Sequence, residues 1–157
     1  MFKKRKQKKC ELMAHITGEL IPIENVKDQV FSTKMMGEGI AIIAKEINLC
    51  APCNGEISLI APTKHAIIIQ NDDGLQILLH IGLDSANYLD SLFTVHVCQG
   101  DKVSVGDLLI TINQEYLNSL DELVVPMVLL ENPSECKIVI KKILNKVESG
   151  KDAVINY

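Results

Sequence analysis

The chain has 157 residues and a formal net charge of −4, and 47% of its residues are hydrophobic although only 4% are aromatic. This length suits one domain with an aliphatic core, and no apolar run reaches the roughly 18 residues that a membrane span needs. Residues 1–9 contain six of the 16 basic residues and no acidic residue, so the remaining chain is strongly acidic. An acidic body argues against nucleic-acid binding and suits a basic protein partner.

The basic segment at the start lacks the apolar stretch of a secretory signal. We predict that residues 1–14 form a flexible basic tail and that residues 15–157 form a single domain. A second interpretation gives residues 1–9 a weak contact with an anionic membrane surface, with little apolar anchorage from Phe2. The five cysteines show no disulfide spacing, so we expect reduced thiols and a cytoplasmic protein. Within the Cys50–Cys53 pair, both side chains are expected to be small buried hydrophobes.

Strand signals dominate the rest of the chain, because short apolar runs alternate with Gly, Pro, Asn or Asp. The predicted strands are 20–23, 39–43, 57–60, 66–69, 75–81, 93–98, 103–112, 123–130 and 136–144. Residues 113–122 predict a short helix with an Asn cap, whereas 137–147 fit strand and helix about equally. The pattern G-E-[LI]-x-x-I occurs at 18–23 and again at 55–60, which suggests partial duplication. The predicted fold class is all-β, a compact antiparallel β-sandwich or barrel with one or two short helices.

Two histidines, His65 and His80, flank the tight-turn signal Asn71–Gly74 between two β-branched runs. A four-residue loop at 71–74 places His65 directly opposite His80, and a two-residue turn leaves them diagonal on one face. Only an odd-length loop separates them, because a slip of one residue moves a strand's side chains to the other face. Adjacent imidazoles can serve in acid–base catalysis, or one can accept a phosphoryl group covalently. Two ligands are too few for a closed zinc site, so no metal is predicted.

Four segments, 35–42, 51–55, 63–66 and 79–84, resemble the glucose-type IIA domain of the bacterial phosphoenolpyruvate-dependent sugar phosphotransferase system. The similarity runs from about residue 15 to residue 157, and its most specific element is H-[IF]-G-[LI]-D at 80–84. The element at 100–107 alone equally resembles a biotinyl or lipoyl carrier, but no modifiable Lys lies at a carrier-type hairpin tip.

The resemblance implies a phosphoryl carrier that needs no cofactor. His80 would accept the group from the phosphohistidine of the phosphocarrier protein HPr and pass it to a cysteine of the IIB domain of a sugar permease. His65 would stabilise phospho-His80 by hydrogen bonding, and Thr63 would orient His65. The acceptor must be neutral to attack, which a reference pKa of about 6.5 permits near neutral pH.

The resemblance also implies a partner-binding patch that is apolar with an acidic rim. Its members are Val30, Phe31, Met36, Ile68 and Leu78, with Asp28 and Asp84 on the rim. Strand parity counted from His65 places Ile68 on the opposite face, so a bulge would be needed to bring it to the patch. The alternative function is a regulatory binding module whose partner binding depends on its phosphorylation state. A zinc peptidase would need a further His and Asp at metal spacing, and none is seen near His65.

Overall fold

The structure is a computed structural model that describes residues 10–83, 90–141 and 145–157. Over these residues the chain is mostly strands with two short α-helices, which confirms the all-β prediction. In chain order the elements are β1 Glu11–Met13, β2 Gly18–Pro22, α1 Gln29–Ser32, β3 Gly39–Ala44, β4 Asn48–Cys50, β5 Gly55–Ile60, β6 Ala66–Asn71, β7 Gln76–His80, β8 Phe93–Val95, β9 Lys102–Val103, β10 Leu108–Ile112, α2 Gln114–Ser119, β11 Val124–Glu131, β12 Val139–Ile140, β13 Lys146–Val147 and β14 Ala153–Asn156. Single turns of 3-10 helix occur at Ile23–Asn25 and Asp90–Leu92. None of the described helices is long and apolar enough to cross a membrane.

The strands form one large sheet and two small ones. The large sheet has the order β13-β2-β3-β11-β7-β6-β5-β9, and the small sheets have the orders β1-β14-β12 and β4-β10-β8. Fully buried side chains from all three sheets share one cluster, for example Leu12, Ile69 and Ile110. Each buried aliphatic side chain of this size contributes about 1.5–3 kcal/mol by leaving water. The aliphatic core predicted from composition therefore lies between the large sheet and the two small ones.

The repeated G-E-[LI]-x-x-I pattern corresponds to two strands in matching places, each second from an edge of the large sheet. Gly18 begins β2 beside Val147, and Gly55 begins β5 beside Val103. A Cβ would lie 2.0 Å from a backbone oxygen at Gly18 and 2.4 Å from one at Gly55, so each position requires glycine. The duplication inferred from the sequence is therefore visible in the fold.

Residues 10–14 belong to the folded part of the chain, which corrects the prediction that the tail extends to residue 14. Glu11–Met13 form β1, which pairs with β14, and Leu12 is fully buried. A strand of three residues directly after a basic run is too short to show a period of two in the sequence. Residues 1–9 lie outside the described part of the chain.

Several predicted boundaries shift for similar local reasons. The run 103–112 contains two strands, β9 and β10, because Asp107 accepts a hydrogen bond from the N–H of Ser104 at 2.8 Å and closes a turn between them. The ambiguous stretch 137–147 holds the short strands β12 and β13, and its residues 142–144 are not described. The predicted helix at 113–122 is present as α2, with Asn113 accepting from the N–H of Tyr116 at 2.9 Å.

Candidate functional site

The hairpin that carries the two histidines has a different register from the one predicted. Ala66 lies opposite His80 and Gln70 opposite Gln76, so five residues, 71–75, lie between the last paired residues of the hairpin. The loop gains its fifth residue because Asn71 Oδ1 accepts from the N–H groups of both Asp73 and Leu75, at 3.0 and 2.9 Å. The prediction of a four-residue loop is therefore wrong, and an odd-length loop alone would separate the imidazoles.

The rings nevertheless meet. The centroids of His65 and His80 are 4.8 Å apart, with an angle of 81° between the ring planes. His65 precedes the regular part of β6 and follows Lys64, whose φ is 65°, so the strict alternation of the strand does not apply to it. The predicted pair of adjacent imidazoles is present, although a local backbone feature produces it instead of the loop length.

Each imidazole is held through its Nδ1 atom. His80 Nδ1–H donates to the carbonyl oxygen of Gly82 at 2.7 Å, and Thr63 Oγ1 shares a hydrogen bond with His65 Nδ1. Gly82 adopts a φ of 82° that favours glycine, and its N–H donates to Val124 O at 2.8 Å. Gly82 therefore fixes the His80 ring with its carbonyl, while its own N–H is engaged with β11.

The electrostatics keep both rings neutral near pH 7. Burial lowers the pKa of His80, and the Gly82 carbonyl and the Asp28 charge offset part of that shift. Burial also lowers the pKa of His65, and the neighbouring His80 lowers it further. A neutral imidazole has a free lone pair, so either ring is in the protonation state that nucleophilic attack requires.

The histidines lie at the edge of a second apolar cluster on the face of the large sheet that faces away from the main core. We call it the outer cluster; its buried members are Ile23, Val26, Phe31, Ala41, Ala66, Leu78 and Val128. Phe31, from α1, presents its ring edge-on to His80 with the centroids 5.3 Å apart. The outer cluster therefore packs α1 against the sheet beside the acceptor candidate.

The structure brings most of the predicted apolar patch together here. Phe31 and Leu78 are buried in the outer cluster, and Met36 and Ile68 pack against it while half-buried. Val30 is exposed on α1, with 43% of its surface accessible. Ile68 pairs with Leu78, two residues before His80, so it lies on the His80 face of the sheet and the prediction from strand parity is wrong. Parity counted from His65 misplaces Ile68 because the side chain of His65 does not follow the strand's alternation.

The acidic rim is described only in part. Asp28 caps α1 by accepting from the N–H of Val30 at 2.9 Å, and its charge acts on His80. Asp84 lies outside the described residues. Leu59, which the sequence did not indicate, is 47% exposed and lies opposite Ile68 because a bulge at Ser58 shifts the register of β5. A bulge of this kind has no signal in the apolar pattern.

The other histidines and the paired cysteines have separate environments. His15 is buried and its Nε2–H donates to Val125 O at 2.8 Å, whereas His96 is exposed and bonded to Thr111. Cys50 and Cys53 are buried free thiols, as expected, and burial raises the pKa of Cys53 to about 12. Such a thiol is an inert packing group. Across the described ranges, no three His, Cys, Asp or Glu side chains form a group that could hold a metal ion.

Comparisons with known proteins agree with this site. The family described as phosphoenolpyruvate-dependent sugar phosphotransferase system, EIIA 1, matches residues 10–136. The glucose-specific EIIA component of the system in Oceanobacillus iheyensis is 36% identical over 154 residues, covering 98% of this chain and 93% of that protein. The solved structure of glucose permease IIA from Mycoplasma capricolum matches with a TM-score of 0.83 and 31% identity, covering 95% of this chain and 96% of that one. The chain therefore belongs to the EIIA 1 family of the phosphoenolpyruvate-dependent sugar phosphotransferase system.

Proposed function

We propose that His80 is the phosphoryl acceptor of this chain. As an EIIA component, the protein is a phosphotransferase component that carries phosphoryl groups between HPr and a IIB domain. The observation that supports His80 most directly is its hydrogen bond to Gly82 O, because a carbonyl only accepts and therefore requires the proton on Nδ1. The lone pair of His80 is then on Nε2, the nitrogen available for attack.

In the proposed reaction, His80 Nε2 forms a bond to the phosphorus of phospho-HPr as the bond from phosphorus to the HPr imidazole breaks. The departing ring keeps the electron pair of that bond. Phosphoryl transfer of this kind depends on positioning and on stabilising the charge of the phosphoryl oxygens. The second transfer, to the IIB cysteine, reverses the roles, with His80 as the departing group.

We assign His65 the task of stabilising the phosphorylated state. The Thr63 hydroxyl can donate to His65 Nδ1. In that tautomer the proton of His65 is on Nε2 and can be donated to a phosphoryl oxygen on His80. The nearly perpendicular arrangement of the rings, at 81°, supports this role because it directs a ring edge of one imidazole at its neighbour. Such a preorganised donor costs no rearrangement when the charge arrives.

We further propose that HPr and the IIB domain use the surface around the outer cluster. Its accessible apolar side chains are Val30, Leu59 and the exposed parts of Met36 and Ile68, and Asp28 adds a negative charge. Asp84 remains a predicted member of the rim. An apolar centre with acidic residues at its edge fits a basic partner surface that docks briefly.

We place this relay in the cytoplasm, where reduced cysteines are expected. The basic residues 1–9 retain the prediction of weak contact with an anionic membrane surface. Co-sedimentation with anionic vesicles, with and without residues 1–9, tests that contact, and equal binding would contradict it.

Reconstitution with phosphoenolpyruvate, enzyme I, HPr and a IIB domain tests the assignment of roles. His80→Ala should abolish phosphate uptake from phospho-HPr, and His65→Gln should accept phosphate but pass it on poorly. His96→Gln is the matched control, because this exposed histidine is bonded to Thr111 and should leave both steps unchanged. Full labelling of the His80→Ala variant would show that His80 is not the acceptor.

A further inference from the structure

Lys64 separates two residues of the site, Thr63 and His65, and has an unusual backbone conformation. Its φ of 65° places it in the left-handed region, which residues with a Cβ adopt rarely and which favours Gly, Asn and Asp. The conformation arises in the tight turn between β5 and β6. There the N–H of Lys64 donates to Ala61 O at 2.8 Å, and the N–H of Ala61 donates to Ala66 O at 2.9 Å.

The register of the hairpin shows what this conformation achieves. Ala66 lies opposite His80, so the next pair joins His65 with Ile81, and the N–H of Ile81 donates to His65 O at 2.7 Å. Residues paired across a ladder direct their side chains to the same face of the sheet. Ile81 is fully buried in the main core, so a regularly extended His65 would point into that core and away from His80.

The His65 ring instead lies 4.8 Å from the ring of His80 on the opposite face. A left-handed residue at the end of a tight turn breaks the alternation of the strand, as in the bulges that redirect one side chain. Lys64 is the residue at which the chain makes this break, immediately before His65. The hydrogen bond between Thr63 and His65 then fixes the redirected ring.

We propose that Lys64 is a positioning residue whose left-handed backbone conformation, and not its charge, turns His65 towards His80. This inference deepens the proposed function and rests on the role given there to His65. It predicts that residues tolerant of the left-handed region can replace Lys64 although they remove the ammonium group. A β-branched residue, which disfavours that region, should displace the His65 ring and leave His80 in place.

The test compares Lys64→Asn, Lys64→Gly and Lys64→Val in the full chain, with His65→Gln as the reference. The Asn and Gly variants should pass phosphate to IIB within about twofold of the unchanged protein. The Val variant should lose about tenfold or more in that step, as misplacement of a catalytic group by about 1 Å can cost up to a hundredfold. Uptake onto His80 should remain in all three variants. If the Val variant does not fold, Lys64→Thr replaces it, since Thr is also β-branched and disfavours a positive φ.

A second readout does not depend on phosphate. Nitrogen-15 NMR titration of the imidazoles should show His65 with the same lowered pKa in the Asn and Gly variants, and with a changed pKa in the Val variant, where the ring leaves His80. The proposal would be overturned if the Val variant passed phosphate as fast as the unchanged protein and its His65 titration were also unchanged. Loss of transfer in the Asn variant as large as in the Val variant would also overturn it, because the charge would then be the essential feature. If no variant accepts phosphate, the proposed function fails, while the titration still tests the positioning.

Discussion

At the scale of single residues, the two imidazoles have partners of different chemical kinds. The partner of His80 is the carbonyl oxygen of Gly82, which only accepts, so the proton stays on Nδ1. The partner of His65 is the Thr63 hydroxyl, which donates or accepts, so either nitrogen of His65 can carry the proton. His80 is thus held with its lone pair on Nε2, as the proposed acceptor requires, and His65 can adopt either tautomer.

The buried His15 makes the folded protein sensitive to acid. Burial lowers the pKa of His15 to about 4, with the hydrogen bond to Val125 opposing part of the shift. Because the folded-state pKa lies below the unfolded value of 6.5, the unfolded chain binds the proton first. Stability is complete above pH 6.5 and falls as the pH drops towards 4, by about 3 kcal/mol for this group.

Urea unfolding at pH 7 and pH 4 measures this effect against His15→Gln, whose amide can still donate to Val125 O but does not titrate. The lowered pKa values of His65 and His80 add a slope of the same sign in both proteins, so the difference between the two isolates His15. An equal loss of stability in both proteins would contradict the prediction.

At the scale of elements, the strands of the site were predictable but their relative arrangement was not. The β-branched runs at 66–69 and 75–81 correctly predicted β6 and β7. The loop length depends on two backbone N–H groups that donate to the side chain of Asn71, and His65 follows Lys64, whose left-handed backbone interrupts the alternation of the strand. Neither feature alters the hydrophobic pattern, so pattern-based reasoning could not detect them. The family resemblance predicted that Ile68 lies in the apolar patch around the histidines, and it packs against the outer cluster there. Strand parity counted from His65 had put it on the opposite face.

The short helix α1 links the outer cluster to the charge at the site. Asp28 caps the helix and raises the pKa of His80, opposing the effect of burial. Asp28→Asn keeps an oxygen for the cap but removes the charge, so the pKa of His80 should fall further in this variant, as followed by NMR titration. Asp28→Ala also removes the cap and should cost about 1 kcal/mol in addition. A His80 titration unchanged in Asp28→Asn would show that the carboxylate does not act on the site.

At the scale of the whole molecule, the duplicated strands of the large sheet were predictable from the sequence, whereas the small sheets were only partly predictable. The repeated pattern at 18–23 and 55–60 correctly indicated two equivalent strands. The small sheets were predicted incompletely, because β1 and β4 have three residues each and β12 has two. Strands this short are defined by their partners across the sheet and by the core beneath them, which no local pattern contains. The tail boundary was misplaced for the same reason.

Tyr157 ties β14 to the far end of the histidine hairpin. Its hydroxyl donates to Asp73 at 2.7 Å and accepts from the side-chain amide of the buried Asn71 at 2.9 Å. Tyr157→Phe removes both bonds and should lower the free energy of unfolding by about 1–3 kcal/mol, since a buried amide loses its partner. Urea denaturation measures the loss. The phosphoryl relay should be unchanged, because six residues of extended chain, about 20 Å, separate Asn71 from His65. A defect in transfer at full stability would contradict this account.

The central claim is that the phosphoryl group is carried on Nε2 of His80, with Nδ1 held by Gly82. Phosphorylation of nitrogen-15-labelled protein by phosphoenolpyruvate, enzyme I and HPr, followed by NMR of the nitrogen–phosphorus coupling, identifies the bonded nitrogen directly. We predict one phosphoryl group, coupled to Nε2 of His80 and absent from the His80→Ala variant. Coupling to Nδ1 of His80, or to either nitrogen of His65, would contradict the account.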